Sequence, residues 1–251
     1  LNNNLNKYNV SSKIFSPITI NDYLIHKKDI IFFFKFKSIP KFCRKLFFLI
    51  NNLLTLIFIK IKKPDILHLS YYNKSLIKFT NIPYVLTVYD LIHEKLKNKQ
   101  NQFEKKKLLE NAKHIICISK ETKKDLIRIY KIEKKNISVI YLGGPELKKK
   151  ISNIKEKYIL YVGDRGRYKN FDKLIRAFSE SKFLTKNYKI VCFGGGQFRN
   201  YEKKIFENLN IKNNVKYEEG DDMKLLNFYS NASLFVTLSK FEGFGLTVLE
   251  A

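Results

Sequence analysis

The chain has no Trp, a single Met, and few acids: 23 Asp and Glu stand against 48 Lys and Arg in 251 residues, a net charge of +25. It has three cysteines, Cys43, Cys117 and Cys192, far apart and without CxxC spacing. That excludes a disulfide scaffold and a thiolate zinc site, and it fits a reducing cytosol. Cys117 ("HIICIS") and Cys192 ("KIVCFG") lie in strand-like runs and are expected to be buried thiols. The opening "LNNNLNKYNV" has neither an initiator Met nor a signal-peptide pattern, so the start is expected to lie within a longer protein. A spanning apolar run is missing too. "LFFLINNLLTLIFIKI", 46–61, falls short of about 18 apolar residues and is broken by Asn51–Asn52. A helix buried against a sheet is expected there, while the basic flanks "KFCRK" and "KIKK" keep an interfacial role open.

A hydrophobic fraction of 45% supplies real cores, and the length allows one large domain or two small ones. The positive charge favours anionic partners: nucleic acid, nucleotide phosphates or an acidic membrane face. Its lysines are scattered through nearly every segment, not clustered on one basic face with interleaved aromatics. Most are therefore expected on solvated faces, and a nucleic-acid partner is not expected.

From Pro64 onward, short apolar runs alternate with helical patterns. "PDILHLSYY", "IPYVLTVYD", "KHIICIS" and "NISVIYLGG" are the expected strands of a first half. Ser119 is the expected N-cap of a helix, with Glu121 in its first turn. The charged stretch 143–157 suits a linker. A second series follows: strands "YILYVG", "YKIVCFGGG", "VKYEE" and "SLFVTLS", separated by helical segments. The first of these segments, "FDKLIRAFSES", carries Phe171, Leu174, Ile175 and Phe178 on one face. Runs of this length alternating with helices indicate parallel sheets covered on both faces. The expected fold is α/β, with two Rossmann-like domains, 1–145 and 146–251, facing a ligand cleft.

Three stretches carry candidate chemistry. "YVGDRGRYKNF" is a strand-to-helix loop with Gly163, Arg165 and Lys169, where helix-start N–H groups and cations suit a diphosphate leaving group. It lacks the GxxxxGK[ST] spacing, and "CFGGGQF" lacks GxGxxG, so neither a Walker loop nor a nicotinamide site is expected. In "SKFEGFGLTVLEA", Gly243 and Gly245 permit a sharp turn with bare N–H groups. Glu242 flanks that turn from the strand side. Glu250 lies about one helical turn in, with its carboxylate leaning back toward the turn. Such a pair suits a sugar nucleotide, whose phosphates meet N–H groups and cations while the carboxylates accept hydroxyl hydrogen bonds. Asp90 and His93, just after "VLTVYD", are the candidates from the first half; His26, His68 and His114 read as ordinary strand or surface residues.

"FEGFGLTVLEA" is similar to the E-x7-E signature of family 4 ("group 1") retaining glycosyltransferases of the GT-B fold. "YVGDRGRYKNF" resembles that family's donor-diphosphate loop. "TVYDLIHEK" and "AKHIICISKETKKDLIRIY" resemble its N-terminal segments in enzymes that build surface polysaccharides, lipopolysaccharide among them. The resemblance implies transfer of a sugar from a nucleotide-sugar donor to a glycan or lipid-linked acceptor. Glu250 would hold the ribose; Glu242, with the Gly243–Phe244–Gly245 backbone, would hold the donor sugar. Arg165 and Lys169 would stabilise the departing diphosphate. No metal or other cofactor is implied, and Asp221–Asp222 are adjacent, not spaced as DxD. The implied location is cytoplasmic, with peripheral contact at the anionic inner face of a membrane kept open. The chain departs from the pattern at Leu238 and Thr247, where many members have Pro, and at Tyr89, where His is frequent. Set against the family's length, the chain is expected to be a fragment lacking both ends. The rival readings are a non-catalytic basic nucleic-acid-binding protein and another GT-B enzyme, a sugar-nucleotide epimerase or a phosphorylase.

Overall fold

The structure, a computed structural model, describes residues 8, 10–20, 30–31, 33–36, 38–96, 102–144 and 156–251. Most of the expected linker, and His26, lie outside the described residues. The chain divides into two compact units. The first comprises Leu1–Val88, Lys99–Ile116 and Ile132–Ser138; the second comprises Tyr89–Asn98, Cys117–Lys131 and Val139–Ala251.

In the first unit four two-residue strands, β1 (Ile14–Phe15), β2 (Ile18–Thr19), β3 (Ile30–Ile31) and β4 (Phe34–Lys35), make the parallel pairs β1–β3 and β2–β4. The main sheet has the order β5-β6-β7-β8, with β5 Leu67–Leu69, β6 Tyr84–Val88, β7 His114–Cys117 and β8 Ile137–Val139. β6 buries Tyr84, Leu86, Thr87 and Val88, and the Tyr84 hydroxyl donates to the Leu108 carbonyl at 2.6 Å. His68 and His114 bond Thr87 and Ser138 across this sheet, in keeping with the ordinary roles expected of them.

The apolar segment forms a helix, Arg44–Lys62, but it is not the buried helix expected from its composition. Only Asn52 and Ile59 are buried, while Leu46, Leu49, Leu53, Ile57 and Ile61 recur at helical spacing on an exposed stripe. The two central asparagines are explained by contacts. Asn51 accepts from the Ile18 N–H at 2.7 Å and donates to the Ile18 carbonyl at 3.0 Å, clamping the backbone of β2; Asn52 accepts from Asn73 at 2.9 Å. Among the described residues no helix is long and apolar enough to cross a membrane.

The second unit holds a fully parallel four-stranded sheet in the order β11-β10-β9-β12, with β9 Tyr158–Val162, β10 Lys189–Phe193, β11 Val215–Glu218 and β12 Leu234–Phe235. β9 alternates between two cores. Ile159 and Tyr161 pack with Phe171, Leu174, Ile175 and Phe178, the apolar face expected of helix Phe171–Glu180. Tyr158 and Leu160 pack with Phe228 and Tyr229 of helix Asp222–Asn231. Each fully buried side chain of this size contributes about 1.5–3 kcal/mol relative to exposure, so the helices are held by these faces more than by intrinsic propensity. "SLFVTLS" pairs only at Leu234–Phe235, with Val236 N–H reaching the Leu160 carbonyl. The rest of that run becomes the loop that carries Glu242.

Cys117 and Cys192 are buried and Cys43 is half-buried. Burial pushes both buried thiols from 9.0 up to about 12, with Arg165 partly offsetting the effect at Cys192. The folded chain therefore holds these protons more tightly than the unfolded one. Their contribution is complete below pH 9 and falls as pH rises from there toward about 12. A thiol-specific disulfide reagent at pH 8 is expected to modify Cys43 first, and Cys117 and Cys192 only as the chain unfolds; prompt labelling of all three would contradict this packing.

Candidate active site

The order β11-β10-β9-β12 places two chain reversals side by side. From β9 the sheet is built outward through β10 to β11, and then β12 is added on β9's other edge. In parallel α/β sheets the loops at such a switch point leave a crevice beyond the strands' carboxyl ends. The loop after β9 supplies Lys169 and the loop after β12 supplies Glu242. Lys169 Nζ donates to Glu242 Oε1 at 2.7 Å, with the side chains 22% and 34% exposed. Two hydrogen bonds to backbone carbonyls hold the loops together: Lys240 N–H to the Tyr168 carbonyl at 2.9 Å, and the Asn170 side-chain amide to the Leu238 carbonyl at 2.7 Å. The structure thus brings together Lys169 and Glu242, which lie 73 residues apart.

The turn after Glu242 is set by its glycines. Gly245 has φ 82°, a left-handed conformation that side chains resist, and helix Leu246–Glu250 starts there. Gly243 is needed for a different reason: a Cβ there would stand 2.3 Å from the Tyr89 carbonyl oxygen and 2.9 Å from the Asp90 Cβ. Its own carbonyl accepts from the Ser119 hydroxyl, the side chain that also caps helix Lys120–Tyr130 by accepting from the Thr122 N–H at 2.9 Å. Ser119 thus fills its expected capping role and adds a contact that the sequence did not reveal. Phe244 stacks on Tyr141 with centroids 5.9 Å apart. Asp90 accepts from the Ile92 N–H at 3.0 Å, opening the short helix Ile92–Lys95, on which His93 is exposed.

Glu250 Oε2 accepts from the Tyr229 hydroxyl at 3.0 Å. Burial and the adjacent carboxylate hold the Tyr229 phenol protonated well beyond its ordinary range, so it remains a donor. Tyr229 carried no motif in the sequence; it sits among the core-facing residues of its helix.

Arg165 is placed differently from the expectation. Gly163, at φ 105°, turns the chain out of β9, and the Arg165 side chain is then buried. It is 1% exposed and pairs through Nε with Glu202, itself 1% exposed, at 2.9 Å. Its other nitrogens donate to the carbonyls of Gly194, Gly196 and Gln197 at 3.1, 2.7 and 3.1 Å. The guanidinium is thus buried and committed to Glu202 and to the backbone after β10. Among the described residues, no group of three or more His, Cys, Asp or Glu could hold a metal ion.

Two parallel-sheet units with these loops define an α/β protein of GT-B type, and solved glycosyltransferases share the fold. WaaG, described as a glycosyltransferase involved in lipopolysaccharide biosynthesis, superposes with a TM-score of 0.71 at 14% identity over 100% of this chain and 72% of its own. The Anabaena protein HepE, solved with UDP and glucose, gives 0.65 at 15% identity over 88% of this chain and 64% of its own. The family profile described as Glycosyltransferase Family 4 matches residues 13–143, and that described as Glycosyl transferases group 1 matches residues 145–251. The chain belongs to this glycosyltransferase family. The O-antigen chain mannosyltransferase RfbU of Salmonella typhimurium is 28% identical over 155 residues, covering 60% of this chain and 42% of the relative. A Campylobacter jejuni 4-alpha-N-acetylgalactosaminyltransferase, named for a diphospho-undecaprenol acceptor, is 27% identical over 157 residues, again 60% and 42%. The chain spans less than half the length of these curated relatives.

The close approach at Gly243 is testable. Gly243→Ala is expected to cost about 1–3 kcal/mol through overpacking, and to lower Tm by several degrees in a circular-dichroism melt. An unchanged Tm would show that Tyr89 and Asp90 do not press on the turn.

Proposed function

We propose that this chain is the sugar-transferring part of a retaining glycosyltransferase that takes a nucleotide-sugar donor and a glycan or lipid-linked acceptor. The observation that carries the reading is the Lys169–Glu242 pair at the switch point of the second sheet. When the bond from the sugar to the diphosphate breaks, negative charge grows on the departing phosphate. A fixed cation at the carboxyl end of β9 lowers that barrier because it is oriented before the charge appears. Glu242 holds Lys169 in place while the site is empty, then accepts from the donor sugar once the diphosphate competes for the ammonium. Glu250, oriented by Tyr229, accepts from the ribose. We take 1–145 as the acceptor side and 146–251 as the donor side. Lys169 and the turn's N–H groups make a metal unnecessary in this scheme. The relatives, an O-antigen mannosyltransferase and a transferase named for a diphospho-undecaprenol acceptor, support the acceptor class.

Lys169→Ala is expected to reduce turnover about 100–1,000-fold, the usual range for loss of one preorganised charge stabiliser. Glu250→Ala should act mainly on donor KM, raising it about tenfold or more through the lost ribose hydrogen bond. Transfer should persist in EDTA. A screen of UDP- and GDP-sugars against lipid-linked acceptors measures all three, and wild-type kinetics in both variants would overturn the assignment.

The acceptor side also carries the exposed apolar stripe of helix Arg44–Lys62, bounded by Arg44, Lys45, Lys60, Lys62 and Lys63 with no acid within the helix. Apolar side chains ringed by cations suit shallow insertion into an anionic bilayer, where a lipid-linked acceptor would reside. The chain should pellet with phosphatidylglycerol vesicles, release as salt rises, and ignore phosphatidylcholine vesicles. Leu49→Asp with Leu53→Asp, both on the exposed stripe, should abolish pelleting; retention by that variant would place the contact elsewhere.

A further inference from the structure

The buried Arg165 has a role that its sequence position did not suggest. Its carboxylate partner, Glu202, is bidentate in function. Oε1 takes the Arg165 Nε at 2.9 Å and Oε2 takes the Arg199 N–H at 2.7 Å, closing the first turn of helix Asn200–Asn208. The guanidinium packs on Phe198, 4.9 Å from the ring centroid, and on Phe171 at 5.8 Å. One side chain therefore joins three pieces of backbone: its own loop after β9, the glycine run after β10, and the start of the next helix. The glycine run lies so close that a Cβ at Gly195 would stand 2.4 Å from the Gly163 carbonyl oxygen. From Arg165 the loop continues through a tight turn, with Lys169 N–H donating to the Gly166 carbonyl at 2.8 Å, to the ammonium that pairs with Glu242. Every link in this path is a hydrogen bond or a packed contact inside the second unit.

We propose that Arg165 is a positioning residue: it fixes the loop after β9 on the glycine run and acts on a bound diphosphate only through Lys169. The proposal rests on the donor-site reading above. It accounts for a cation in that loop whose hydrogen bonds go to Glu202 and to three backbone carbonyls. Lys169 carries its ammonium on a long flexible stem, and its Nζ keeps one position only while the turn that bears it is anchored. Without the brace, the loop and the glycine run lose their shared anchor, and Lys169 spends less time where a phosphate oxygen would sit.

The test is calorimetric binding of UDP and GDP to the chain, with uridine and guanosine as probes that lack the diphosphate. In the wild type the better nucleoside diphosphate is expected to bind at least about tenfold tighter than its nucleoside, the scale of one charged hydrogen bond. Lys169→Ala should remove most of that ratio and leave nucleoside affinity unchanged. Arg165→Met should do the same, and Arg165→Met with Lys169→Ala should be no worse than Lys169→Ala alone, because residues acting through one path are non-additive. Should Arg165→Met fail to melt cooperatively, Arg165→Lys and Glu202→Gln, which keep much of the volume, replace it; Arg165→Lys is expected to recover part of the ratio. General loss of structure would weaken nucleoside and nucleoside diphosphate alike, and that result would overturn the proposal. Additive losses would show that Arg165 meets the diphosphate independently, and wild-type ratios in all Arg165 and Glu202 variants would show that the brace is irrelevant to the site; either overturns it. A wild type that does not distinguish nucleoside diphosphates from nucleosides overturns the donor-site reading itself, an outcome separate from the others.

Discussion

A guanidinium has been taken out of water in the second unit, and the shape of its loops follows from how that cost is offset. Arg165 and Glu202 are each 1% exposed, and desolvating two charges costs several kcal/mol per ion unless the geometry satisfies them. Here it does, through Glu202, three backbone carbonyls and two aromatic faces. Removing one partner would leave a buried charge unpaired, a loss of about 3–5 kcal/mol. The carbonyls are available only because the Gly194–Gly196 run adopts positive φ throughout, which other residues would resist. A buried charge and a glycine run are thus a single structural device.

On the reading proposed above, the donor site lies on the exposed side of that device. The parallel order of the second sheet sets the loops after β9 and β12 next to each other, and the two loops contribute one cation and one carboxylate. Neither is deeply buried, so the pair adds little to stability; surface ion pairs are typically worth under about 1 kcal/mol. An arrangement of this kind suits a site that must exchange partners, because the ligand displaces a weak contact. The first unit leaves an apolar helical stripe in solvent, and on the reading proposed above a bilayer surface would remove that cost.

Much of this was legible in the residues. Strands such as "YILYVG" and "YKIVCFGGG" are continuous apolar runs because both faces of a parallel sheet are covered, and each run maps onto a strand. The face Phe171, Leu174, Ile175 and Phe178 is buried as its period requires. The Glu242–Gly243–Phe244–Gly245 turn was legible because glycine and carboxylate are both unusual in that context. Other features depend on tertiary contacts. The pairs β1–β3 and β2–β4 are two residues long and too short to show a period. Arg165 in a glycine loop reads as facing a ligand until Glu202, 37 residues on, is placed beside it. Helix Arg44–Lys62 reads as buried because composition alone does not show which apolar residues find a partner. Tyr229 reads as core, which it is, and its hydroxyl on Glu250 follows only from the packing of two helices.

The central claim is that Lys169, and not Arg165, meets the donor's diphosphate. The most direct measurement is a crystal structure of the chain with UDP or GDP, whichever binds. The account predicts a phosphate oxygen within hydrogen-bonding distance of Lys169 Nζ, an opened Lys169–Glu242 pair, and an Arg165–Glu202 pair unchanged from 2.9 Å. A diphosphate seated on Arg165, or one bound with the Lys169–Glu242 contact still closed, would contradict it.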